Sequence, residues 1–578
     1  MAAKELKVSL LISTLTTCAA FLPFYFAQSA TGEYVGSVFI IVSVVLLVSW
    51  LIAFTLTSIL CAKFIPSSPK RLFNPPLPLQ TYRRLLSWTL THRMKFCLIL
   101  GGLFAISLWG YSAIPKIFYP PSNHLLFTAE IELPVGSSIW RTEQALSEIE
   151  YFVEENLYSS GEVLSWVSYI GNGGPRYRLQ HEPEPPNSHY ALMLFTVKDY
   201  TALKVATDKL DQYLFENYPS IRPKVRRLQE GVPIKNPIEL RLSREHKNLK
   251  TALKALPGTK NVDDNWGLET KKLVIAVDDT RASRAHITHA DVASSLESAV
   301  SGRMLSLYRD GDTLIPIVLR SQAARDFHLI ESETFNVFSA ASPQNVPLFQ
   351  VADIKLDWEA PARYRYNRQE MLTLASDLDK GFTARALEKA IRKHPEIAKV
   401  NYELGGEYEA SSEAEHSIFV HLPLTFILIV LLLLAQFNNW KQTTLILMTI
   451  PLSLIGVVFG LIIGHSYFGI MTILGVISLA GIVVNNGVIL IDRIQLTQKQ
   501  EQSLSERDAI IEAACRRFRP IFLTTLTTVT GLIPLWIGGG PLWEPLAITL
   551  FFGLLAGAVL TLFVLPLFYT VLQPAKAS

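Results

Sequence analysis

An ionisable side chain buried in a membrane can do work because two conformations solvate its charge differently. The long apolar runs of this chain carry no Asp, Glu, Lys or Arg near their centres, and Asp492 falls at the end of one run as an interfacial charge. Polar groups in or beside those runs include Asn485, Asn486, Arg517 and Thr524. Thr14 and Thr17, like Thr525 and Thr528, are three apart and share a helix face, which suits interhelical hydrogen bonding in lipid. Other chemistry is poorly served. Twelve histidines show no metal-ligand spacing, and the close pair His286 and His289 has no cysteine or carboxylate cluster beside it. Gly171-Asn172-Gly173-Gly174 lacks the lysine and serine that complete a phosphate loop. No nucleophile-base or paired-carboxylate constellation emerges, so neither enzymatic activity nor a metal or cofactor is expected.

The elements that hold these residues are membrane helices. Hydrophobic residues make up 49% of the 578 and charged residues 18%, a membrane-protein balance, and a net charge of +3 is too slight to imply nucleic acid. A spanning helix needs ~20 mostly apolar residues. Eight stretches qualify, at about 8–27, 38–61, 96–115, 418–435, 443–464, 466–491, 520–537 and 546–570. The first, preceded by Lys4 and Lys7, has a signal peptide as its competing reading. Its length, Pro23 and a twin far down the chain argue for a retained helix. The connector 63–95 holds seven Lys and Arg and no acid, and 493–519 is also Arg-rich, so both read as cytoplasmic. Both termini then lie inside and residues 116–415 outside. Cys18, Cys61, Cys97 and Cys515 lie in or beside apolar segments and imply no disulfide framework.

The twin is an internal duplication. Thr14-Leu15-Thr16-Thr17 before Pro23 recurs as Thr525-Leu526-Thr527-Thr528 before Pro534, at a constant offset of 511 residues. One full copy and the tail of another are therefore expected within a larger two-repeat protein.

Outside the membrane, Phe127, Ala129, Ile131 and Leu133 alternate with Thr128, Glu130 and Glu132, as a half-buried strand does. Ser138 caps a predicted helix whose Ala145, Leu146, Ile149 and Phe152 share a face. Strands near 163–170 and 190–197, a helix near 200–216 and a strand near 223–229 complete a β-α-β-β-α-β ferredoxin-like order. A second such unit starts at 236–243, is interrupted at 278–361, and ends with a helix at 383–394 and a strand at 397–403.

Several motifs together resemble the resistance-nodulation-division (RND) efflux permeases of the hydrophobe and amphiphile exporter type. They are Gln436-Phe437, Gly481-Ile482-Val483-Val484-Asn485-Asn486-Gly487, Arg519-Pro520 followed by Thr524-Thr525-Leu526-Thr527-Thr528, Gly539-Gly540-Pro541-Leu542-Trp543-Glu544-Pro545-Leu546, and Gly173-Gly174-Pro175-Arg176-Tyr177. The resemblance implies a polytopic α-helical membrane protein of about eight spans with a periplasmic α+β domain of two ferredoxin-like porter subdomains and an inserted docking subdomain. On that plan 1–65 are the last two helices of repeat one, 66–95 a basic cytoplasmic connector with an amphipathic helix, and 96–115 the first helix of repeat two. Porter subdomain one is 116–232, porter subdomain two is 233–277 with 362–415, and the docking insertion is 278–361. A five-helix bundle at 416–572 and a cytoplasmic tail at 573–578 follow.

The resemblance also assigns roles. The family's proton carriers are adjacent aspartates on a repeat-one helix that would precede Met1. Asn485 stands where many members carry a lysine paired with those aspartates, and asparagine cannot carry that charge. Asn485 and its neighbour Asn486, with Arg517 and Thr524, are the residues that would support the relay; local packing is the competing role. Tyr177, Leu194 and Phe195 are the candidate lining of a substrate pocket, against ordinary sheet core. Seven methionines are too few and dispersed for a metal-exporting branch. The expected function is the C-terminal part of a proton-coupled multidrug or amphiphile efflux permease of the bacterial inner membrane. It would be incomplete without a missing N-terminal repeat, and would work as a homotrimer with a periplasmic adaptor and an outer-membrane channel. The alternative is a non-transporting membrane binding or scaffold protein, or a truncated remnant of such a pump.

Overall fold

The computed structural model describes residues 2–64, 77–219, 221–319, 335–339, 341, 344–501 and 504–572. The start of the basic connector, much of 320–343 in the predicted docking insertion and the tail 573–578 lie outside the described residues. Among the described residues, eight helices are long and apolar enough to cross a membrane. The helical elements used below are α1 (Ala2–Ala20), α2 (Ala30–Ile52), α3 (Leu77–Thr91), α4 (Arg93–Tyr111) and α5 (Glu407–Phe419). After these come α6 (Leu422–Phe437), α7 (Thr449–Ile463), α8 (Ile470–Gln500), α9 (Glu506–Gly538) and α10 (Gly540–Leu572).

Helices α8 and α9 are longer than their apolar stretches. At 31 residues α8 is ~46 Å long, more than the ~30 Å hydrocarbon core. Helix α9 starts at Glu506 rather than near 520, with Ser505 as its N-cap and Pro520 inside it. Residues 506–519 are amphipathic, burying Ala509, Ile510, Ala513 and Ala514, so hydropathy alone does not register them as helix. Helix α3 packs against α9 and α10 with Tyr82, Leu86, Thr89 and Leu90 buried. Its Tyr82 stacks on Phe518 of α9 and donates to the Leu562 carbonyl of α10 at 2.9 Å.

Two four-stranded antiparallel sheets follow α4. The first contains β1 (Leu126–Glu132), β2 (Val163–Ile170), β3 (Tyr190–Val197) and β4 (Arg222–Arg227) in the order β2-β3-β1-β4. The second contains β5 (Ile238–Leu242), β6 (Thr259–Asp264), β7 (Leu372–Leu378) and β8 (Tyr402–Gly406) in the matching order β6-β7-β5-β8. In the first, Phe127, Ala129 and Ile131 are fully buried against Leu146, Ile149, Leu203, Leu210 and Leu214 of two covering helices. The helix over Ile139–Val153 begins where Ser138 accepts from the Arg141 amide. In the second sheet, residues 397–399 form a single 3₁₀ turn, with Ile397 buried, and the strand itself runs Tyr402–Gly406.

A second compact unit is Trp266–Tyr364. Its strands Thr270–Val277 and Ala352–Glu359 pair along their full length, Val277 opposite Ala352 and Thr270 opposite Glu359. That pairing makes 270–277 part of this unit, so it is wider than the 278–361 expected from the sequence. Its core gathers Ala282, Ile287, Val292, Val337, Leu348 and Val351. Along the chain the unit is inserted between β6 and β7. The same β2-to-β3 position in the first sheet holds the Gly171–His189 loop, so both α/β units expand one equivalent connection.

Candidate functional site

The membrane residues gather on α1 and α8. Gly481 brings these helices together: a Cβ there would stand 3.1 Å from Thr17 Cα and 3.2 Å from Ala20 Cβ. Into this contact α1 turns Ser9, Ser13, Thr16 and Thr17, all buried. Ser13 donates to Asn485 Oδ1. Thr17 donates to the Gly481 carbonyl at 3.3 Å, and Gln436 Nε2 of α6 donates to Ser9 at 2.7 Å. The result is a polar seam across three helices, with Asn485 at its middle and Asn486 half-buried beside it.

Arg517 and Thr524 do not join this seam. Arg517 is half-buried where the charges of Arg493 and Asp492 act on it, and its Nε has no hydrogen-bond partner among the described residues. Thr524 is exposed and donates to the carbonyls of Pro520 and Ile521 in its own helix. The duplication relates the two sites, because the offset of 511 places Thr524 at the position of Ser13. It likewise places Thr527 and Thr528 at Thr16 and Thr17. In α1 these positions are buried against α8; in α9 Thr524, Thr527 and Thr528 are exposed and, among the described residues, donate to carbonyls of their own helix.

Asn485→Leu is expected to lower the melting temperature, since an interhelical hydrogen bond in a bilayer is worth roughly 0.6–2 kcal/mol. Ser13→Ala should do the same. The double variant should cost clearly less than the sum, by about 0.5 kcal/mol or more, because both changes remove one interaction. Strict additivity in thermal melts of the four proteins would show that the pair carries no energy.

Outside, the Gly171–His189 loop folds back over the sheet face that the helices leave open. Gly173 accepts backbone contact at its tightest point: its amide donates to the Glu184 carbonyl at 3.0 Å, and a Cβ would stand 2.2 Å from the Glu184 nitrogen. Tyr177 stacks on His181 at 4.5 Å, and its hydroxyl is buried without a hydrogen-bond partner among the described residues. Burial, with Glu130 adding, pushes that phenol up to about 12. Strand parity decides what shares this face. Leu194 is half-buried opposite Thr128 and Val167, and Leu192 is buried opposite Glu130 and Tyr169. Phe195 points the other way, stacked on Phe127 at 4.4 Å in the core. Phe195 is therefore withdrawn as a lining residue, because adjacent strand residues face opposite sides. Leu192, which alternation from Leu194 could have supplied, takes its place.

A further pocket was not legible in the sequence. Lys116 and Phe118, Arg385 and Glu388, Glu407 and Glu415, and Ile470 of α8 line a cleft where the second sheet's helix meets the membrane helices. Glu407 accepts from the Phe118 amide at 3.1 Å, and Arg385 pairs with Glu415 at 3.1 Å. Lys116 lies 4.3 Å from the Tyr111 ring centroid, and burial, with Arg385 adding, pushes its ammonium pKa down. Among the described residues no group of three or more His, Cys, Asp or Glu is placed to hold a metal ion.

Known proteins place this arrangement. A solved structure titled "X-ray crystal structure of a heavy metal efflux pump, crystal form II" superposes with a TM-score of 0.76 at 20% identity. The match covers 98% of this chain and 58% of that one, and at this identity the likeness is one of fold. The family model described as the AcrB/AcrD/AcrF family matches residues 1–573, and the chain belongs to that family of RND permeases.

Proposed function

We propose that this chain is the C-terminal portion of a two-repeat, proton-coupled RND permease of the bacterial inner membrane, and that it exports hydrophobic and amphiphilic compounds once joined to a first repeat. The exposed stripe on α9 carries this reading. The same motif in α1 is buried against α8, with Ser13 on Asn485, so its copy at Thr524, Thr527 and Thr528 is shaped to receive a helix equivalent to α8. The family resemblance places the adjacent aspartates on that helix, which would put Thr524 within reach of the proton carrier as Ser13 is of Asn485. Asn485, Asn486 and Arg517 would then support the relay from this side.

In this reading 116–232 and 233–265 with 365–415 serve as periplasmic porter subdomains, and the unit Trp266–Tyr364 serves as the docking insertion. Tyr177, Leu192 and Leu194 beside Glu130 line the substrate face, since apolar and aromatic walls bind amphiphiles without strict geometry. Heavy metal is named for the structural neighbour; here seven dispersed methionines favour amphiphiles. Both termini are cytoplasmic, and the working assembly is a trimer with an adaptor and an outer-membrane channel.

Everted vesicles energised by respiration test this with a fluorescent amphiphile. The chain alone should give no proton-dependent extrusion. Co-expression with a first-repeat polypeptide bearing adjacent aspartates should restore it, and Thr524→Ala should cut the restored rate by tenfold or more. Proton-dependent extrusion by the chain alone would overturn the reading. Binding without extrusion in either case would favour a scaffold.

A further inference from the structure

We propose that the outward face of α3 and the first turn of α4 form a binding site for the headgroups of anionic phospholipids in the cytoplasmic leaflet. The position of α3 is fixed by its buried face. Tyr82, Leu86, Thr89 and Leu90 are at most 3% exposed, with Tyr82 wedged between Phe518 and Phe563. Arg507 at the start of α9 ties down its end, donating to the Ser87 carbonyl at 3.0 Å and to Thr91 Oγ1 at 2.6 Å.

The opposite face is built differently. Thr81, Arg84, Leu85 and Trp88 recur at helical spacing and are all exposed. Trp88 stacks on His92, the residue at the bend between α3 and α4, with ring centroids 5.3 Å apart. Immediately beyond it, Arg93, Met94 and Lys95 are exposed in the first turn of a spanning helix. Residues 77–95 thus present Arg83, Arg84, Arg93 and Lys95, with no Asp or Glu in the segment. Among the described residues, none of these four cations has a carboxylate within ion-pair distance, whereas nearby Arg516 pairs with both Glu501 and Glu512. Exposed Trp and Leu beside unpaired cations, at the level where a helix enters the bilayer, match an anionic headgroup over acyl chains. Cations left unpaired by the protein are free to pair with phosphate.

This inference rests on the membrane reading and on the cytoplasmic side of 63–95, but not on transport. A failed extrusion assay leaves it standing, and lost lipid preference leaves the pump proposal standing. The test uses the full chain in detergent, titrated separately with dioleoyl phosphatidylglycerol and dioleoyl phosphatidylcholine, with bound lipid counted by native mass spectrometry. Each cation near an anionic surface is worth about fivefold in affinity. Phosphatidylglycerol should therefore bind at least tenfold tighter than phosphatidylcholine. The triple variant Arg84→Gln, Arg93→Gln, Lys95→Gln should bring the two lipids within twofold while phosphatidylcholine binding is unchanged, which separates lost charge from misfolding. The charge-keeping variant Arg84→Lys, Arg93→Lys, Lys95→Arg should retain most of the preference. Equal binding of the two lipids by the unmodified chain, or a full preference in the triple Gln variant, would overturn the site.

Discussion

Replacing Gly456 by leucine is expected to leave little folded protein in the membrane. Lipid tails are as apolar as leucine, so helices associate through close packing of small residues rather than through the hydrophobic effect. Helix α7 offers Gly456 and Gly460 one turn apart, and both lie against Phe552 of α10. A Cβ on Gly456 would stand 2.4 Å from Ala556 Cβ and 2.5 Å from the Phe552 carbonyl oxygen, and a backbone atom cannot rotate away. On its other side α10 meets α8 through Gly553, where a Cβ would stand 2.4 Å from Leu479 Cδ2, and Gly557, where one would stand 2.8 Å from Val483 Cγ2, so it has no free direction in which to retreat. Small overpacking costs about 1–3 kcal/mol, and four added heavy atoms against a backbone should exceed that range. Gly101→Leu supplies the control, since nothing lies within 4 Å of a Cβ there. Fluorescence-detected size exclusion and thermal melts should show Gly101→Leu near the unmodified chain and Gly456→Leu largely aggregated. Similar profiles for the two would mean that α7 and α10 do not hold the bundle together.

The sequence made legible what periodicity controls. Alternation from Phe127 to Leu133 marked β1 because one face packs on helices, and Ser138 marked a helix start because its hydroxyl satisfies an orphan amide. Parity separates Leu194 from Phe195, because a strand sends neighbours to opposite faces and only Phe195 enters the core. Hydropathy stopped short of Glu506 because half of that amphipathic segment is polar. The junction of Lys116, Phe118, Arg385 and Glu407 had no local signal, since its parts are up to 291 positions apart and meet only through the fold. The relation between Ser13 and Thr524 was present in the duplication from the start. Only the burial of one copy and the exposure of the other give it meaning, and that contrast is a property of packing.

Gly406→Ala should be a strongly damaging single-methyl change outside the bilayer. Gly406 ends β8 opposite Ile238 and caps α5, so here the chain leaves a sheet and enters the helix that leads to the membrane. Its φ of 71° and ψ of −138° lie in a region that only glycine adopts without strain, and such strain costs ~1–3 kcal/mol. A Cβ would also stand 2.6 Å from the Asn236 carbonyl oxygen and 2.7 Å from that of Pro237, both backbone atoms beside β5. The next residue is anchored twice: the Glu407 amide donates to the Pro237 carbonyl at 3.0 Å and its carboxylate holds the Phe118 amide. Relief of the clash therefore has to pull Glu407 away from the loop that follows α4. Gly405→Ala makes the comparison fair, because the atoms a Cβ would meet there are the ends of the Arg241 and Glu239 side chains, which can move. Strain and clash together should cost Gly406→Ala about 3 kcal/mol or more, against ~1 kcal/mol for Gly405→Ala. In the pump proposed above, reconstituted with a first repeat, Gly406→Ala should also lower extrusion at temperatures where the protein remains folded, because the sheet would no longer be rigidly joined to α5 and α6. Equal melting temperatures for the two variants would mean that the glycine conformation at 406 is incidental to the link between sheet and membrane.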